Sequence, residues 1–168
     1  MTTAFNKWIP FCGANTKEKT SELAPTGVSD PYVWRASYLP SLNVDQQFVY
    51  DADQNFDMLR FGLQEWKKVA PYLLKEFYTL TPWHKEKDTT DFTAFCYYDP
   101  DKEEGVILAF RQEKCDRDML RVSLPFAGET DKYSIIDVDS GKKESVHGII
   151  TLCFEAPRTA KLLLVKKI

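Results

Sequence analysis

From position 91 onward the chain alternates apolar and polar residues in short segments separated by hydrophilic turn clusters, and this pattern leaves few folds open. The segments are 91–98, 105–112, 119–124, 133–138, 146–153 and 161–167. Between them stand Asp99-Pro-Asp-Lys, Phe126-Ala-Gly-Glu, Asp139-Ser-Gly-Lys and Ala156-Pro-Arg, all rich in turn formers. Period-two alternation puts one face of each segment in a core, and short strands at regular spacing predict an antiparallel β-sandwich.

The first half is built differently. Nineteen of the 23 aromatic residues, with all four tryptophans, lie in the first 98 positions. Phe56, Leu59, Leu63, Trp66, Val69, Leu73 and Phe77 recur at three- and four-residue steps, which predicts one amphipathic helix. Asp53 or Asn55 caps its start, and Pro71 kinks or splits it, having no N–H to donate. Trp34, Phe5 and Trp8 are the expected partners for its stripe. Residues 7–12 form an apolar run compatible with a buried strand, 15–30 a surface loop, and 32–39 a second apolar segment closed by Pro40. The charged stretch 83–90 is the expected boundary, giving a front piece over 1–84 and a β-domain over 90–168. The class is therefore α+β.

Composition removes several functions. The 168 residues are 43% hydrophobic and 28% charged with a net charge of −3, values typical of globular proteins, and the mixed charges provide no basic stripe for nucleic acid. No apolar run approaches a membrane span, and the first residues hold no signal-peptide core, so the expectation is a cytoplasmic protein with no membrane partner. Cys12, Cys96, Cys115 and Cys153 have no zinc spacing and read as reduced thiols, Cys96 and Cys153 as small hydrophobes within strands. No metal or cofactor site is expected.

Chemistry-bearing motifs are incomplete. Asp51, Asp53 and Asn55 imitate the start of a calcium loop, but Phe56 replaces its glycine and Gly62 its bidentate glutamate. His84 and His147 have no nucleophile in a recognisable turn, and the acids of the β-domain fall mostly in turns, with no two marked as an acid/base pair. What remains is Tyr32, Trp34, Arg35 and Tyr38, candidates for carbohydrate binding. If 32–39 is a strand, alternation sends Tyr32 and Trp34 to one face and Arg35 to the other. Aromatic rings stack on sugar C–H faces but also fill cores, and an arginine in an apolar segment needs either a carboxylate or a polar cavity.

At these residues a family resemblance enters. The succession Trp8-Ile-Pro-Phe-Cys-Gly, Asp30-Pro-Tyr-Val-Trp-Arg-Ala-Ser, the 59–77 helix, Tyr78-Thr-Leu-Thr-Pro and Gly105-Val-Ile-Leu-Ala-Phe-Arg resembles the C-terminal region of α-galactosidase (melibiase) glycoside hydrolases of the family 36 type. The resemblance covers nearly the whole chain. It implies that the front piece corresponds to the end of a (β/α)₈ barrel and the remainder to the sandwich that follows. It also implies that the two catalytic aspartates belong to earlier barrel strands, so no catalytic residue is carried over and the chain alone is expected to be inactive. Trp34 and Arg35 would border the sugar pocket of a complete enzyme. The alternative is a non-catalytic carbohydrate-binding or accessory module. A homo-oligomer or a partner chain would then cover the open barrel face.

Overall fold

The computed structural model describes residues 13–16, 30–44, 56–83 and 89–168. Two compact units divide between Leu74 and Lys75. The expected strand over 7–12, the aspartates of the calcium-like segment, His84, Phe5, Trp8 and Cys12 lie outside the described residues.

In the first unit, β1 (Gly13–Thr16) pairs in parallel with β2 (Ser41–Val44), Gly13 opposite Ser41 and Thr16 opposite Val44. Between them lies α1 (Pro31–Ala36). The strand expected over 32–39 is therefore corrected to a helix and its exit. The reason is local: the Asp30 carboxylate accepts from Val33 N at 3.0 Å, Pro31 occupies the first turn, and the Ser37 hydroxyl donates to the Val33 carbonyl at 2.9 Å. An aspartate N-cap followed by proline starts a helix, and so short an apolar run cannot be assigned by periodicity alone.

The second helix, α2 (Phe56–Val69), starts where the apolar stripe does and ends earlier than 77. Ala70–Tyr72 continue as a 3₁₀ turn around Pro71, whose missing N–H and ring end α-helical bonding there. Gly62, Glu65 and Val69 form the buried line of α2, while Leu59, Leu63 and Trp66 flank it half-buried and Phe56 is exposed. No helix among the described residues is long and apolar enough to cross a membrane.

The second unit is antiparallel throughout. Its strands are β3 (Glu76–Thr79), β4 (Phe92–Asp99), β5 (Glu104–Arg111), β6 (Met119–Ser123), β7 (Tyr133–Asp137), β8 (Lys143–Val146), β9 (Ile149–Cys153) and β10 (Thr159–Lys167). Six form one sheet in the order β3-β4-β5-β10-β7-β8, and β6 pairs with β9 in a separate ribbon. Alternate residues Phe92, Ala94, Cys96 and Tyr98 of β4 join Ile107, Ala109, Ile135, Leu163 and Val165 in a core with Leu120, Val122, Ile150 and Leu152 of the ribbon. Each such aliphatic side chain contributes roughly 1.5–3 kcal/mol by leaving water.

Two details differ from the sequence reading. Phe77 lies in β3, paired opposite Tyr97 in the sheet of the second unit, rather than on the helix. The single segment 146–153 is split into β8 and β9 by Gly148, whose φ of +73° L-residues rarely adopt.

Candidate functional site

Three of the four sequence candidates, Trp34, Arg35 and Tyr38, converge on one buried arrangement. Arg35 projects from α1 with its side chain 1% exposed and meets Glu65 of α2. Its Nη2 donates to Glu65 Oε1 at 2.7 Å and its Nε to Oε2 at 3.0 Å, a bidentate fork. The Tyr38 hydroxyl donates to the same Oε2 at 2.8 Å and lies 3.3 Å from the Gly62 carbonyl. Beside this clamp the Trp34 ring, fully buried, packs against α2 in the space that a Cβ at Gly62 would fill. Nearby, Trp66 Nε1 donates to the Leu39 carbonyl at 3.0 Å, whereas Trp34 Nε1 has no hydrogen-bond partner among the described residues. Tyr32 is half-buried.

The helix explains the convergence. Successive residues turn by about 100° rather than 180°, so Trp34 and Arg35 serve one packed surface instead of opposite faces of a sheet. Glu65 and Gly62, three residues apart, share the inward line of α2 with Val69. Neither was marked as a site residue by the sequence, where Gly62 enters only as a misfit in the calcium-like segment. The available signal was a glutamate and a glycine at helical spacing inside an apolar stripe.

Both Glu65 oxygens accept charge-assisted or hydroxyl hydrogen bonds from Arg35 and Tyr38, which ties α1 and its exit to α2. Breaking a buried ion pair by deleting one partner costs about 3–5 kcal/mol where the remaining charge is left uncompensated.

Polar groups of the second unit are similarly occupied. The Gly128 N–H and then the Lys167 ammonium hold the Asp131 carboxyl below its ordinary range, and Glu103 and Asp131 together raise Lys167. Burial, then the neighbouring Tyr133, pushes the Tyr98 hydroxyl up, beneath a Phe126 ring stacked on Tyr98 at 3.8 Å. The hydrogen bond to Glu76, then burial, raises Tyr78 to about 12. Burial also raises the Cys96 thiol, which keeps it protonated and unreactive. Cys153, read from the sequence as a small hydrophobe within a strand, lies in β9 but points to its exposed side. His147 is exposed in the β8–β9 turn. Among the described residues no group of three or more histidines, cysteines or acids is placed to hold a metal ion.

Comparison with solved structures gives the context for this geometry. The chain superposes on a GH36 α-galactosidase from Geobacillus stearothermophilus with a TM-score of 0.69, at 12% identity over 95% of this chain and 22% of that one. The α-galactosidase from Lactobacillus brevis gives 0.68 at 13% identity, over 93% and 22%. The fold is that of the C-terminal region of GH36 α-galactosidases. A variant G. stearothermophilus GH36 α-galactosidase, in complex with stachyose, gives 0.66 at 13% identity, again over 93% and 22%. The chain thus spans about a fifth of the length of the GH36 proteins it matches. No family model matches the chain, and no curated protein matches it in sequence.

Proposed function

We propose that this chain serves carbohydrate metabolism as a GH36-like C-terminal region without independent catalysis. Its first unit would be the closing portion of a (β/α)₈ barrel and its second the accompanying sandwich. The observation that carries the reading is the superposition of nearly the whole chain on one fifth of several α-galactosidases. The succession β1, α1, β2, α2 with β1 and β2 parallel supports the barrel portion, because parallel pairs belong to βα units. In this reading the Arg35–Glu65–Tyr38 clamp fixes α1 against α2 and acts as scaffold. The substrate class is the α-galactoside, hydrolysed in a full enzyme by two carboxylates that the rest of the barrel supplies. A cytoplasmic setting and a partner polypeptide covering the barrel face belong to the same proposal.

The test exchanges this chain for the equivalent region of a GH36 α-galactosidase and assays p-nitrophenyl α-galactoside. A soluble, active chimaera is expected, with no p-nitrophenol released by this chain alone. Release by the chain alone, lost on substitution of one of its carboxylates, would overturn the non-catalytic assignment. Titration with stachyose separates the accessory alternative: saturable binding to the isolated chain favours a carbohydrate-binding module, and no heat favours the scaffold.

A further inference from the structure

The ribbon of the second unit has an open edge with unusual chemistry. Register pairs Met119 with Cys153, Arg121 with Thr151 and Ser123 with Ile149. Just beyond the ribbon's ends, Leu124 N donates to the Gly148 carbonyl at 2.7 Å and Phe154 N to the Asp118 carbonyl at 2.8 Å. Antiparallel pairs alternate between bonded and non-bonded, so Ile150 and Leu152 bond to β6. The N–H and C=O groups of Ile149, Thr151 and Cys153 consequently point away from β6, toward an edge that no strand occupies among the described residues. All three side chains are exposed, Ile149 at 46%.

Open strand edges are normally guarded by charge. The other outer strands of this unit follow the rule: β3 carries Glu76, β8 carries Lys143 and Glu144, and β6 carries Arg121. β9 reads Ile-Ile-Thr-Leu-Cys, with no charge, no proline and high strand propensity. It is also self-complementary. Turned antiparallel on a second copy about Thr151, it sets Thr151 opposite Thr151 and Ile149 opposite Cys153. The outward-pointing backbone groups then face one another, and Ile150 lies beside Leu152 on the core side. Threonine pairs and apolar pairs are favourable cross-strand neighbours.

We propose that β9 is a self-association edge through which two copies of this chain join, merging their ribbons into one sheet in the order β6-β9-β9-β6. The interface is isologous, with its dyad at Thr151. Opposed Thr151 Cα atoms would stand about 5.5 Å apart, within disulfide reach. The two Cys153 residues would be about 14 Å apart along the strands, well beyond it.

Sedimentation velocity of the full chain under reducing conditions, over rising concentration, tests the proposal. A monomer–dimer equilibrium is expected, lost in Thr151→Lys and Ile149→Lys and kept in Ser145→Lys on the exposed β8. Because position 151 is solvent-facing, the lysine variant should keep its circular dichroism spectrum. Independently, Thr151→Cys should yield, on oxidation, a covalent dimer whose mapped disulfide joins position 151 of the two copies. A chain that stays monomeric throughout, a dimer that survives Thr151→Lys, or an oxidised dimer joined through Cys153 would each overturn the proposal.

Discussion

Gly62→Ala offers a sharp test of the first unit because two effects oppose each other. In the interior of an exposed helix, alanine is about 0.8–1.0 kcal/mol more favourable than glycine. At position 62 the added Cβ would lie 2.1 Å from Trp34 Cε3 and 2.2 Å from Cδ2. Ordinary carbon contact begins near 3.5 Å, so the ring or the helix must yield by roughly 1.4 Å. Trp34 is fully buried and α1 is pinned by the Arg35–Glu65 fork, so the ring has no free space to enter. Overpacking of this kind costs about 1–3 kcal/mol, and expelling an indole costs more. The sign should therefore reverse, with a net loss of about 1 kcal/mol, and up to about 2, after the propensity gain. Urea unfolding followed by tryptophan fluorescence, with hydrogen exchange over α2, measures it. Gln64→Ala on the exposed face is the control, and Trp34→Leu should recover part of the loss in the double variant. If Gly62→Ala stabilises the chain by the ordinary propensity gain, the close packing of Trp34 on α2 is refuted.

Other consequences are measurable by similar means. Glu65→Leu, which removes the carboxylate that Arg35 and Tyr38 share, should destabilise the chain, whereas the joint Arg35→Met and Glu65→Leu variant should lose less than the sum of the single changes. Additive losses in urea would contradict the clamp. Lys75 at 3.0 Å, opposed by burial, holds the Asp99 carboxyl below its ordinary value. A depressed folded-state value stabilises above the unfolded carboxylate pKa of about 3.9 and is lost as pH falls through the folded value, so Lys75→Met should raise the midpoint of acid unfolding. An unchanged midpoint would remove that pair from the account. Maleimide labelling with peptide mapping should modify Cys153 in the native chain, and Cys96 and Cys115 only after unfolding. Native labelling of Cys96 would contradict its burial.

The β-domain was legible because its alternation is clean and its turns carry strong formers. Phe92, Ala94, Cys96 and Tyr98 face the core at the spacing that the sequence shows. Residues 146–153 were not separable, since His147-Gly148 gives a weaker cue than the Asp-Ser-Gly turn before it. The start of α2 and the effect of Pro71 were readable from periodicity and proline chemistry. α1 was not, because its six residues are too few to reveal a helical period, and only Asp30-Pro31 marks them. An internal Arg–carboxylate pair was foreseeable from Arg35 alone, yet Glu65 as its partner was not. A glutamate within a helix reads as solvent-facing until a cation is placed beside it.

Arg111, at the end of β5, is 7% exposed and holds backbone rather than a carboxylate. Its Nε and Nη2 donate to the Cys115 carbonyl at 3.3 and 3.1 Å, and its Nη1 to the Phe154 carbonyl at 3.2 Å. One side chain thereby staples two connections that are far apart in sequence. Lengthening either connection would pull a carbonyl off a buried cation, which lysine cannot replace because it lacks the planar fork. A peptide graft into this domain therefore belongs at the exposed hairpin tip 139–141, where Gly141 has open space around it, and not at either stapled connection.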